Sequence, residues 1–397
     1  MICLNPTGIL GLKRTFTQKM NNGGEGTMKG IRKVVHVFTM MILIVGLVAA
    51  CGKANTETTT GSAAQTPGAS PAGGDKANAL AGKKVALIMR QNLGTFSAQY
   101  VEGVKEQVTK LGGTVTVIPA DGDLTKMASN LDAAVNQKFD GILLDHGTPD
   151  ALQNGINKAV EKKIPIVAFD SNVKGPGIVA LEQNDQKLAE LTLEQLGKEA
   201  GGKGNIVKVW VAGFPPMESR QIAYKAFLDK NKDIKEIAAF GNAQNPALDT
   251  QAQMEAILKK YPNKGDITAV WAAWDEFAKG ATRAIQQAGR TEIKVYGIDM
   301  SDEDLQLIQD ANSSWVASAA VDPKDIGRIQ VRYLYQKLHG DQTPEKVVLE
   351  PVFVSRDQLP KDKKVTTAEL SQYVQGWGNS QQGYTDWLKE AEKQSGK

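Results

Sequence analysis

The chain has 397 residues, 41% hydrophobic and 23% charged, with three histidines and two cysteines. That balance is too apolar for wholesale disorder and too polar for a multi-span membrane protein, and the length suits two domains. The net charge of +3 is uneven: residues 1–50 hold six Lys or Arg against Glu25 alone, so a segment five charges positive precedes a body two charges negative. That body lacks the basic face nucleic acid requires. Cys3 and Cys51 lie at the start, and only His146 and His339 lie beyond residue 50. A disulfide framework, a cysteine zinc site and a multi-histidine metal centre are therefore not expected in the body, and neither a metal nor a cofactor is expected.

In chain order, residues 28–50 read as a secretion signal. Lys29, Arg32 and Lys33 precede an apolar run over 34–48, too short for a comfortable membrane span. The run ends in Leu47, Val48, Ala49, Ala50 and Cys51. A branched aliphatic residue, small residues and a cysteine resemble the lipobox of bacterial lipoproteins. Small residues admit the peptidase to the backbone, and the thiol accepts the lipid. Cys51 is the expected lipidation site, and two or more acyl chains at about 0.8 kcal/mol per buried CH₂ anchor stably. Residues 1–27 fit no signal design. The codons for Gly23, Gly24, Glu25 and Gly26 resemble a ribosome-binding site, so Met28 is the expected start. Residues 51–80 are Thr, Gly, Ser, Ala and Pro around little apolar bulk. They are expected to form a flexible tether spanning on the order of 30 Å.

From Lys84 the pattern alternates. Strands are expected at 85–89, 115–118, 142–144, 164–169, 206–210, 234–240, 269–271, 293–296 and 315–320. Helices are expected near 100–111, 131–135, 150–162, 217–230, 248–260, 276–288 and 302–310. Two runs of βαβ units give an α/β fold of two doubly wound parallel sheets. Ligands of such sheets bind at the carboxyl ends of the strands. Those ends carry Asp145, Asp170, Trp274 and Asp299. Carboxylates accept hydrogen bonds from neighbouring hydroxyls, and flat rings cover the C–H faces of a sugar. The same aspartates also suit helix N-caps. Asp275 reads as a cap of the helix that follows it. His146 stands alone, with no partner in the sequence to make it a catalyst or a metal ligand. The Gly201, Gly202, Lys203, Gly204 run precedes a strand, so it is a turn and not a phosphate loop.

Six segments, at 83–113, 140–152, 162–171, 269–289, 294–300 and 317–327, together resemble the periplasmic sugar-binding proteins of the ribose-binding type. The resemblance covers about residues 83–354 and implies two lobes joined by a three-strand hinge, a clamshell closing on one solute. On that pattern the N-terminal lobe is 81–184 plus 322–350, the C-terminal lobe is 185–321 plus 351–360, and 361–397 is a tail with a short helix at 384–393. Phe96 falls where the family stacks an aromatic on the sugar ring. Asp170 and Asp299 fall on its two ligand aspartates, and Asp145 on a position that is often a hydroxyl-binding Asn. Trp274 stands where ribose binders have Asn, Arg90 where they have a small polar residue, Ser171 in place of an Arg, and Val321 in place of a Gln. Arg220 lies near a family arginine.

The ligand set expected from this is Arg90, Phe96, Asp145, Asp170, Arg220, Trp274 and Asp299. The implied solute is a sugar, a polyol or a sugar acid, the two arginines favouring an acidic or highly hydroxylated one. The implied protein is a monomeric, lipid-anchored receptor on the outer face of a Gram-positive membrane that passes solute to an ABC permease. A ligand-sensing module for a receptor kinase would share the same cleft. No G-x-S-x-G elbow or nucleophile–base pair supports an enzyme.

Overall fold

The computed structural model describes residues 80–395. The expected start at Met28, the signal, Cys51 and the tether up to residue 79 lie outside the described residues. The chain runs β1 (Lys84–Met89), α1 (Gly94–Lys110), β2 (Thr114–Pro119), α2 (Leu124–Asn136), β3 (Gly141–Asp145), α3 (Pro149–Glu161), β4 (Ile166–Phe169) and β5 (Ile178–Gln183). It continues α4 (Asp185–Glu199), β6 (Gly204–Val209), α5 (Pro215–Lys230), β7 (Ile234–Phe240), α6 (Pro246–Lys260), β8 (Ala269–Ala272), α7 (Asp275–Gln287) and β9 (Lys294–Ile298). It closes with α8 (Asp302–Gln309), β10 (Trp315–Ala320), α9 (Pro323–His339), β11 (Lys346–Leu349), β12 (Val352–Ser355) and α10 (Asp386–Ser395).

Two six-stranded sheets result, ordered β11-β5-β4-β3-β1-β2 and β12-β10-β9-β8-β6-β7. Their pairings are parallel except that β12 runs antiparallel to β10. The central strands are continuous apolar runs because helices cover both faces. In the first sheet Val85, Leu87, Leu143 and Val167 point into one core with α1 and α9, while Ala86, Ile88, Ile142 and Leu144 point into the other with α2 and α3. The second sheet packs its own core around Trp271, Phe277, Tyr296 and Trp315.

The chain passes between the sheets from β5 to α4, from β10 to α9 and from β11 to β12. α4 packs on β8, β9 and β10, and α9 packs on α1, β3 and β4. These are three crossings of a hinged two-lobe body, the type I periplasmic binding protein architecture. The sequence reading passes over β5, α4, α9, β11 and β12. β11 and β12 have four residues each, too few to show a period. α9 is buried on nearly every side, which blurs its apolar stripe.

Beyond β12 the tail touches both lobes. Val365, Leu370, Val374 and Trp377 enter the core of the second lobe, and Leu388 and Ala391 enter that of the first. Thr367 joins them midway: its hydroxyl accepts from Gln99 of α1 at 2.8 Å, and its N–H donates to Asp302 of α8 at 2.7 Å.

Candidate functional site

The chain leaves three strands through residues held in the left-handed region. His146 (φ 57°) follows β3, Asp170 (φ 45°) follows β4, and Asp299 (φ 75°) follows β9. Residues other than glycine adopt this conformation at a cost of roughly 1–3 kcal/mol, and such strain gathers at binding sites. Here it kinks the chain at the sheet edge, where a ligand would meet it. None of the three serves as a helix N-cap. Ser301 takes that role for α8, in a reciprocal pair with Asp304.

The two sheet edges close on one cavity of about 70 Å³. The first lobe lines it with Met89, Gln91, Phe96, Ser97, Tyr100, Asp145, His146 and Gln183. The second lobe supplies Val211, Phe214, Pro216, Met217, Arg220, Trp274 and Asp299. Trp274 meets Phe277 edge-on at 5.3 Å. Tyr100 stacks on Phe169 and donates its hydroxyl proton to Gln330 at 2.5 Å, which braces the floor.

Charge is dense around this space. His146 Nδ1 lies 2.5 Å from Asp145 Oδ1, and Nε2 lies 3.8 Å from Asp170 Oδ2. Burial opposes a charge on the ring, but Asp145 and then Asp170 outweigh it and push the imidazole up to about 9. Arg220 is 2% exposed. Its Nε donates to Asp185 at 2.9 Å, its Nη1 to the Ala273 carbonyl at 2.6 Å, and its two Nη atoms reach Asp299 at 3.4 Å. Burial pushes the Asp299 carboxyl up to about 6 against the pull of Arg220, with Asp275 and Asp185 adding to the rise. Burial also raises Asp170 well above the usual carboxylate range, with the Asp185 charge adding to it. The two cations on the cavity wall, His146 and Arg220, are thus both matched by carboxylates.

Of the seven expected ligand residues, Phe96, Asp145, Arg220, Trp274 and Asp299 share the cavity wall; Arg90 and Asp170 do not. Arg90 reaches the opposite lobe instead, donating from Nη1 to the Gly213 carbonyl at 2.8 Å and lying 3.5 Å above the Phe214 ring. Asp170 accepts from the Gln183 N–H at 3.1 Å and from its side-chain amide at 3.3 Å, and borders a second, more open groove. Ser171 ties the loop after β4 to Gly147 and Phe169. Asp275 is not the cap of α7, since Trp274 occupies that position without a side-chain bond. It pairs at 3.2 Å with buried Lys279, which Glu276, Glu303 and Asp304 also approach.

Sequence reasoning misses His146, Gln183, Tyr100, Phe214 and Met217. His146 has its partner in the preceding residue, a signal that was legible. Gln183 sits at the carboxyl end of β5, a strand the reading passes over. Its Oε1 is buried without a hydrogen-bond partner.

Further bonds hold the lobes together over the cavity. Gln91 donates to the Ala243 carbonyl at 3.4 Å, Thr95 to Glu303 at 3.2 Å, and the Asp302 N–H to Gln99 at 3.0 Å. Gly94, at φ +71°, lies so close to the Glu276 carboxylate of the other lobe that a Cβ would push it aside. The conformation is therefore closed.

Comparison with known proteins agrees with this geometry. A family model for the periplasmic binding protein domain matches residues 85–342. A sugar ABC transporter structure from Yersinia enterocolitica subsp. enterocolitica is 36% identical, covers 81% of this chain and 98% of its own, and superposes with a TM-score of 0.78. A 5-methylthioribose transporter solute binding protein from Thermotoga lettingae, in complex with 5-methylthioribose, is 33% identical, covers 78% and 97%, and has a TM-score of 0.75. Among curated relatives, a D-apiose import binding protein from Actinobacillus succinogenes is 27% identical over 221 residues, 55% of this chain and 70% of its own.

Proposed function

The chain belongs to the periplasmic binding protein family, and from that premise we propose that it is the extracellular receptor of an ABC importer for a neutral sugar or polyol. The observation carrying this reading is the shared cavity, where both lobes contribute a ring and a carboxylate: Phe96 and Asp145 from the first, Trp274 and Asp299 from the second. Rings exclude water from the C–H faces of a sugar, and charged acceptors accept hydrogen bonds from its hydroxyls at about 1.5–3 kcal/mol each. A few such bonds with ring packing reach the roughly −8 kcal/mol of micromolar binding.

Solute meets the first lobe at Phe96, Asp145 and His146. The second lobe then closes with Trp274, Arg220 and Asp299, and the Arg90 clasp seals the rim. Closure is a population shift driven by contacts that only the closed form offers. The closed form is handed to a membrane permease, and the solute leaves chemically unchanged. Cys51 carries the lipid that keeps the receptor at the outer membrane face, with residues up to 80 as its tether. The 5-methylthioribose and D-apiose named for the relatives belong in the first screen.

The test is a thermal-shift screen of the protein lacking residues 1–50 against pentoses, hexoses, polyols, sugar acids and 5-methylthioribose. A true ligand at 100 times its Kd adds about 2.7 kcal/mol of stability. Asp299→Ala should lose the response while remaining folded. A full response in that variant would remove the site from the cavity described, and silence across the neutral sugars and polyols would overturn the reading.

A further inference from the structure

The strand order places the cavity's chemistry along a line. In the first sheet β5, β4 and β3 lie towards the hinge and β1 lies outward; in the second, β9 lies towards the hinge and β6 outward. The hinge-side strands β5 and β3 end in Gln183 and Asp145, and His146 and Asp299 follow β3 and β9 directly; these are hydrogen-bonding groups of the wall. Gln183 is 4% exposed and its Oε1 has no partner, so a buried acceptor waits there for a donor. β1 ends in Met89, Val211 lies two residues beyond β6, and the loop and helix that follow add Phe214, Pro216 and Met217, while Arg220 of that helix turns back to Asp299. The polar side chains that follow β1, Arg90 and Gln91, both donate to backbone carbonyls of the opposite lobe. Ser97 adds a single hydroxyl from α1.

We propose that the solute is amphipathic: a hydroxylated head held at the hinge side, and an uncharged alkyl or alkylthio substituent seated against Met89, Val211, Phe214 and Met217. This rests on the reading of the cavity as a sugar or polyol site. A plain pentose or polyol would leave hydroxyls facing these apolar side chains, desolvated and unpaired. The flexible thioethers of the two methionines instead fit themselves to an apolar group.

Calorimetric titration of D-ribose against its methyl and ethyl glycosides, and against its 5-deoxy, 5-O-methyl and 5-O-ethyl forms, tests this. Alkylation at one of the two ends should tighten binding by about fourfold per added carbon, the factor that follows from burying a CH₂ group. Met217→Gln should shrink the ratio between alkylated and plain sugar. The proposal is overturned if ribose binds as tightly as every alkylated form, or if the Met217→Gln ratio equals the wild-type one. If no neutral sugar or polyol of the thermal-shift screen binds, the failure lies with the sugar-site reading itself, and this inference falls with it; a hit other than ribose takes its place as the head in the same alkyl series.

Discussion

His146 ties the first lobe's site to pH, and the tie has a size. The imidazole is held at 2.5 Å by Asp145 and approached at 3.8 Å by Asp170. Its pKa is pushed up to about 9 from an ordinary 6.5. A group whose folded pKa is raised contributes stability that is fully present below the unfolded value and is lost as pH rises through the folded one. The window is therefore pH 6.5 to about 9. At about 1.36 kcal/mol per pKa unit, the contribution lost by pH 10 is about 3 kcal/mol. Urea unfolding of wild type and His146→Gln at pH 6 and pH 10 isolates this. Groups remote from the ring cancel in the difference, whereas Asp170 and Asp299, which the His146 charge draws down, rise in the variant and subtract from it. The wild type should lose up to about 3 kcal/mol more than the variant. Proton resonances of the ring should titrate near pH 9. Equal losses in the two proteins would refute the reasoning, because they would mean that the ring gains nothing from the two carboxylates.

Three further outcomes follow from the geometry. Arg220→Met leaves Asp185 and Asp299 buried without their cation, and breaking such a pair costs about 3–5 kcal/mol. The deficit should be large at pH 7.5 and shrink at pH 5 as the two raised carboxyls bind protons; urea melts at both values read it. Arg90→Gln removes the bond to Gly213 and the stacking on Phe214. The fold should persist while solute leaves up to about 30-fold faster, the equivalent of about 2 kcal/mol, as stopped-flow release would show. Leu388→Ala opens a cavity under α10 and should cost about 2–5 kcal/mol. A melting temperature unchanged by that variant would mean that the tail does not contribute to the folded body.

Much of the fold was legible because buried parallel strands announce themselves as short apolar runs. The runs at 85–89 and 142–144 reappear in β1 and β3. What escaped were elements whose pattern is set by partners: α9, wrapped on nearly all sides, and the edge strands β11 and β12. The same limit governs the site. Position after a strand located Asp145, Trp274 and Asp299 on the wall, but it could not say which way a side chain turns. Arg90 and Asp170 occupy equivalent positions and turn elsewhere, one to the opposite lobe and one to Gln183.

The internal pairing of the site's charges bears on how the receptor works. Isolated charges would keep water in the cleft and resist closure, since desolvating each costs several kcal/mol. Asp145 with His146, and Arg220 with Asp185 and Asp299, hold one another before any solute arrives. Closure then has less to desolvate, and the donors and acceptors that the solute meets are already oriented. The buried acceptor of Gln183 has no partner within the protein. A solute bearing a hydroxyl at that point therefore gives it one and stabilises the closed form. Gln183→Leu should accordingly favour the empty closed form while weakening solute binding. Small-angle scattering of the apo variant, paired with calorimetry, checks both halves. An apo variant as open as the wild type, with unchanged affinity, would refute the argument.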